Sequence, residues 1–472
     1  MVKNAVTRFG TKSLGVTLSL LTITLITYYL DVFQLAVWGV ANSLIYIFSQ
    51  ISSLGYAQFI EKFFPNYDTS KRIYFLSKYI KTIFCTSIIW FILVLVLGLL
   101  GYFDKYEIEN EIYLYIMISI LTVVETSIEI LNKFFTSIRN TINVDISSLF
   151  LYFMLRALIF LVLLLNGYSV FYLVFFQLVL RIGIFFRMIF LLENNLSKSL
   201  FRIYKSNIFK NNFLYLSYTF KAFALKTLNT TFLNLLFLIF SINNQNNSIA
   251  VYSICILVIN SARPVFSSIS GLLFPIISKN IKSGKSNLEL MKFIFKINSL
   301  ILGTSLSIVY IFLKINLFSE FFINKFEIDF RILILISLIS STIPMFYLPS
   351  YFDILFSNNE DKLLSFSFSI YFVIILIFTI FIRIDLALLI CYSVYELSLL
   401  FFTLRQHKLN SGKNLNLRIS KFSIVTFSLI FVFNLELNLL VNFLLFVVIT
   451  IFFINDVKLI KSELSNIKKT NK

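Results

Sequence analysis

Charge is scarce in this chain. Of 472 residues only 14% are Asp, Glu, Lys or Arg, against about 25% in an ordinary soluble domain. Glycine and proline are scarce too, at 12 and 5 residues, which excludes a collagen-like or low-complexity chain and a turn-dense β protein. The single histidine, His407, falls in a basic connector, so a histidine-based metal site or a Ser-His-Asp triad has no material. The three cysteines, Cys85, Cys255 and Cys391, lie in separate apolar runs, and no disulfide framework or zinc spacing follows from them. No phosphate cradle is present either. NIKSGKS (280–286) ends like one, but Lys279 stands where the leading glycine is required, so the chain is not itself an ATPase. What is abundant is apolar surface: 58% of the residues are hydrophobic, 57 are Phe, and the mean hydropathy is +0.87. A bilayer crossing takes roughly 20 apolar residues, so the length is consumed by crossings with short connectors. The expected class is an all-α, multi-pass membrane protein.

Apolar runs occur at 13–31, 36–59, 79–102, 111–132, 147–165, 168–192, 218–241, 248–275, 293–315, 329–352, 363–382, 385–404, 421–437 and 438–455. These are fourteen candidate spans, several carrying Ser, Thr or Asn to bond between helices or line a polar interior. The basic N-terminal stretch lacks a small-residue cleavage site and reads as part of a retained first helix. With that end in the cytoplasm, 32 of the 41 Lys and Arg fall on the cytoplasmic side, 5 outside, and 4 within spans. The excess of +18 is thus an orientation signal that places both termini inside, and nucleic acid is not an expected partner.

The longest connector, 193–217, is basic and amphipathic and suits the cytoplasmic surface. It divides the chain into a six-helix lobe (1–192), a linker (193–217), a second six-helix lobe (218–408), and two further helices with a basic tail (409–472). A faint internal echo agrees. SSLGYAQFIEKFF (52–64) and SSISGLLFPIISKNIK (267–282) each combine small residues, a glycine and a basic exit, and repeated halves are common in transporters.

The outward connectors are too short for a soluble catalytic site, so no enzyme, cofactor or metal is expected. The chemistry resides in ionisable groups inside the spans, each costing about 2.5–3.5 kcal/mol at a helix centre unless partnered or hydrated. Arg156, Arg181, Lys226 and Arg263 lie at depth without an equal set of equally deep acids, which points to a cationic cavity for a phosphate or diphosphate. A structural reading stands beside it. Arg156 could instead pair with Glu125 or Glu129, four residues apart on one helix face, and Lys226 could snorkel to the boundary. Glu125, Glu129, Asp353 and Glu396 are candidates for proton or sodium coupling. Pro264, Pro275, Pro344 and Pro349 concentrate in the eighth and tenth spans, where each serves either as a bending point or as a static kink.

The layout, with LGYAQFIEKFFPNYD (54–68) and NSARPVFSSISGLLFPIISK (260–279) as its local carriers, resembles the oligosaccharide-lipid flippases of the multidrug/oligosaccharidyl-lipid/polysaccharide exporter superfamily. The resemblance implies two lobes around a V-shaped cationic cavity that work by alternating access in a bacterial cytoplasmic membrane. The implied cargo is an undecaprenyl-diphosphate-linked O-antigen or capsule repeat unit, with a polysaccharide polymerase and other assembly proteins as partners alongside membrane lipids. A cation-coupled multidrug exporter, a lipid II flippase and a membrane polysaccharide polymerase are the alternatives. On the leading expectation, Ala at Arg263 or Arg181 blocks surface polysaccharide assembly without reducing membrane abundance.

Overall fold

The computed structural model describes residues 2–64, 67–99, 111–137, 151–196, 213–243, 246–257, 260, 360–381 and 387–411. Among them there is no strand. The helices are α1 (Val2–Tyr29), α2 (Val32–Ser52), α3 (Tyr56–Phe63), α4 (Thr69–Leu99), α5 (Glu111–Ser137), α6 (Tyr152–Leu165), α7 (Val170–Leu196), α8 (Phe213–Asn243), α9 (Asn246–Leu257), α10 (Glu360–Phe381) and α11 (Ala387–Ser411). The candidate spans at 293–315, 329–352, 421–437 and 438–455 lie outside the described residues, as do Arg263, Asp353 and all four of Pro264, Pro275, Pro344 and Pro349. The central part of the 193–217 linker, 197–212, lies outside them as well.

Two spans differ from their expected form. The run 36–59 is continuous in hydropathy but not in backbone. α2 ends at Ser52, and Leu54 and Gly55 take left-handed conformations with φ of 45° and 73° before α3 begins. Glycine meets no Cβ clash there, whereas Leu54 carries a cost of roughly 1–2 kcal/mol. The run 385–404 continues as helix to Ser411, so His407 belongs to the last turns of α11 and not to a connector.

Local chemistry explains the other boundaries. Asp31 caps α2, its Oδ1 accepting the Gln34 amide at 2.7 Å. Between α6 and α7 the chain reverses at Gly167, with φ of 72°. The Tyr168 amide returns to the Leu163 carbonyl and the Gly167 amide to Leu164, both at 3.1 Å. That paired closure satisfies the carbonyls a helix end leaves open. Hydroxyls inside the helices mostly bond their own backbone, as Thr22 to Leu18 and Thr122 to Ile118, which satisfies them in an apolar surrounding. Some also bond to another helix, as Ser43 Oγ donates to Asn234 Oδ1 and Thr126 Oγ1 to the Ser49 carbonyl.

α3 is fastened by aromatic rings. Tyr56 stacks on Tyr79 at 4.2 Å, Phe59 meets Phe75 and Tyr79, and Phe64 sets its edge to Phe134 at 6.0 Å. Arg72 Nε donates to the Phe64 carbonyl at 2.8 Å, tying the end of α3 to the start of α4. α5 is the central post of this region, packed by α2, α3, α4 and α7, while α6 lies against α1 and α7. α2 also packs on α8, and α8 on α10.

By contacts the chain forms two compact units, residues 1–275 with 359–395, and 276–358 with 396–472. All of the packing above belongs to the first, and the described part of the second is the 396–411 end of α11. Outward-facing stripes are strongly apolar. Phe372, Leu376 and Ile380 on α10 are 64–68% exposed, and Phe186 and Phe190 on α7 exceed 60%. Patches of that kind mark a surface covered by something other than water. Among the described residues, Val32–Ser52, Ile112–Ser137 and Val170–Leu192 are each long and apolar enough to cross a bilayer. The chain is a multi-pass membrane protein.

Candidate functional site

Because α5 sits at the centre of its helix group, polar side chains on its inner faces are withdrawn from lipid. Glu125 and Glu129 share one such face. An ion pair joins Glu125 Oε1 to Arg181 Nε on α7 at 2.5 Å. The Tyr152 ring covers the Arg181 guanidinium, its centroid 3.6 Å from Cζ, a cation–π contact that a desolvated site strengthens. One turn further along α5, Glu129 Oε2 accepts from Gln50 Nε2 of α2 at 3.2 Å. The pair is not sealed, since the side chains of Arg181 and Glu125 keep 16% and 21% of their surface.

Arg156 completes the cluster from α6. Its Nη2 donates to Ser19 Oγ of α1 at 3.1 Å. Its Cζ lies 5.1 Å from the Phe153 ring centroid, 5.4 Å from Tyr152 and 6.0 Å from Phe160. The Nε hydrogen is buried with no hydrogen-bond partner. Arg156 also falls within electrostatic reach of Glu125, as do Arg181 and Glu129.

These contacts bear on the two readings of the deep charges. Glu125, one of the two carboxylates that the structural reading offered Arg156, pairs with Arg181, as α7 packs against α5 whereas α6 packs against α1 and α7. The two arginines are also not unmatched: Glu125 and Glu129 stand in the same cluster, so its formal charges cancel. Removing two opposite charges from water together costs less than removing either alone, which explains how four ionisable groups share one helical core. Lys226 lies on α8 and Glu396 on α11, away from this cluster in sequence, and the surroundings of their side chains fall outside the described residues. Among the described residues no group of three or more His, Cys, Asp and Glu is placed to hold a metal ion.

A second polar feature was not anticipated. Where α2 meets α8 and α9, a Cβ on Gly39 would fall 1.9 Å from Ser253 Oγ and 3.1 Å from the Ser253 Cα, so only glycine permits the approach. One turn along, Ser43 Oγ donates to Asn234 Oδ1, and Asn260 Nδ2 donates to the same oxygen, both at 3.2 Å. Asn234 is fully buried, and its Nδ2 is without a partner. The sequence signal was available as the pair Gly39 and Ser43, small residues four apart in an apolar helix.

Among the described residues the body is all-helical, with apolar stripes facing outward and charges gathered in its interior. No protein-family model and no curated protein matches the chain. Solved structures do match in fold. The crystal structure of the eukaryotic MATE transporter AtDTX14 superposes with a TM-score of 0.59 at 15% identity, covering 90% of this chain and 97% of that one. The lipid II flippase MurJ in an inward-closed conformation gives 0.57 at 14% identity, covering 98% and 100%. The chain therefore has the fold that these transport proteins share.

Proposed function

We propose that this protein is a flippase that moves an undecaprenyl-diphosphate-linked oligosaccharide repeat unit from the cytoplasmic to the outer leaflet of a bacterial cytoplasmic membrane. The unit would be passed to a polysaccharide polymerase that builds O-antigen or capsule. The observation carrying this reading is the end-to-end likeness in fold to a protein named as a lipid II flippase, over 98% of this chain. The physical problem it solves is desolvation. Sugar hydroxyls and a diphosphate lose their hydration in hydrocarbon at several kcal/mol per unsatisfied group, and a polar path between helices replaces that hydration while the lipid tail remains in the bilayer.

On this reading Arg263 and Lys226 supply positive charge in the second half of the chain. The prolines at 264, 275, 344 and 349 serve as bending points, and Glu125, Glu129, Asp353 and Glu396 are the candidates for ion coupling. The MATE likeness favours one other reading, a cation-coupled exporter of small molecules.

The two separate in proteoliposomes holding a fluorescent undecaprenyl-diphosphate oligosaccharide in one arm and a cationic dye in the other. Flippase activity is expected to expose the labelled lipid to a membrane-impermeant quencher, to fall on Arg263→Ala, and to leave the dye gradient unchanged. Dye extrusion driven by an ion gradient, with the lipid protected throughout, would overturn the proposal in favour of the exporter.

A further inference from the structure

The two arginines of the cluster are chemically unequal. Arg181 has its charge met by the Glu125 carboxylate at Nε and its guanidinium covered by the Tyr152 ring, although that Nε, like the Nε of Arg156, makes no hydrogen bond. Arg156 touches no carboxylate. Its contacts are a neutral hydroxyl and three rings, and one N–H is left unpartnered in the interior. Nε and Nη2 lie on the same edge of a guanidinium, spaced to meet two oxygens of one phosphate. On Arg156, Ser19 Oγ of α1 is bonded to Nη2 and Nε makes no hydrogen bond. Both arginines leave Nε without a hydrogen bond, but only Arg181 has an anion there, and a phosphate oxygen would supply the one Arg156 lacks. The nearby carboxylate, Glu125 on α5, is ion-paired with Arg181.

From this geometry we infer that Arg156, with Ser19 beside it, seats the phosphate-bearing head of the lipid, and that Arg181 is a positioning residue holding Glu125 and Tyr152 in place. This assignment rests on the proposed flippase function and gives it a specific contact. The ligand oxygens would take Nε and share Nη2 with the Ser19 hydroxyl.

The protein carries its own reporter. Trp38 packs edge-on against Phe160 at 5.5 Å, and Phe160 borders Arg156. Trp90 is the only other tryptophan, so Trp90→Phe leaves Trp38 as the sole indole. Full-length protein in detergent is titrated with undecaprenyl diphosphate, with inorganic diphosphate, and with undecaprenol. The lipid diphosphate is expected to change Trp38 emission saturably, with undecaprenol and inorganic diphosphate each much weaker. Arg156→Ala should weaken binding about tenfold or more, Arg156→Lys less, and Ser19→Ala only a few-fold, as charge-assisted bonds exceed neutral ones. Melting temperatures read alongside separate lost binding from lost fold, and Ser19→Ala and Arg156→Lys keep the test valid where Arg156→Ala does not fold. Tight binding that is unaltered in folded Arg156 and Ser19 variants overturns this assignment and leaves the flippase reading standing. Absence of any binding of the lipid diphosphate to the parent protein overturns the flippase reading itself. Equal affinity for inorganic diphosphate overturns the lipid as the source of the phosphate.

Discussion

The charged cluster around α5 and the seam between α2, α8 and α9 are both polar, both buried in the same unit, and held by opposite means. In the cluster, full charges from α5, α6 and α7 interlock with polar groups of α1 and α2. Among the described residues no charge participates in the seam. A missing side chain at Gly39 lets two backbones approach, and one carboxamide oxygen collects two donors. Charges in an apolar interior bind their helices because separation strands each of them. Amides and hydroxyls between membrane helices average only about 0.6 kcal/mol per interaction. The cluster is thus a fixed part of one helix group, and the seam joins an early helix to later ones by contacts that could part at small cost.

The largest expected effect falls on the cluster. Arg181→Ala strands Glu125 and should cost about 3–5 kcal/mol, seen as a large drop in the fraction surviving a heat step in detergent. Membrane abundance should fall with it, contrary to what sequence alone led us to expect for this variant. Replacing Arg181 and Glu125 together by Leu should recover most of the loss. A double variant as unstable as the single one would break the comparison, because the pair would then not be the source of the cost.

Next comes Gly39→Val. Its branched side chain meets Ser253, and overpacking of this kind costs about 1–3 kcal/mol. Adding Ser253→Gly should relieve part of it, measured in the same heat step. Loss of the Arg181 cation–π contact through Tyr152→Leu should be smaller, about 0.5–2 kcal/mol. The smallest effect belongs to Ser43→Ala, about 0.6 kcal/mol, and a penalty of several kcal/mol there would show the seam to be as rigid as the cluster.

How far these regions could be read from the sequence follows from their physics. Hydropathy located the apolar runs that became α1, α2, α4 to α11, because lipid solvation acts on composition over some 20 residues. It missed the interruption at Leu54 and Gly55, where the apolar run continues while the backbone changes hand. The spacing of Glu125 and Glu129 disclosed a shared face, since the helical repeat is local. Which arginine meets that face was hidden, because it depends on α7 and not α6 lying beside α5. Ser19, Gln50, Tyr152 and the seam residues are ordinary in an apolar stretch and gain meaning only through neighbours far along the chain.

Gly39 has one more implication, concerning how α2 can be oriented. A residue step on an α-helix turns the side chains by about 100°. Rolling α2 by that amount would aim Trp38 or Val40 at Ser253, in a gap that does not admit a single methyl. The helix can therefore dock at this place in one azimuth alone. Any excursion that lifts it away must bring it home with the same hydrogen-only notch turned inward.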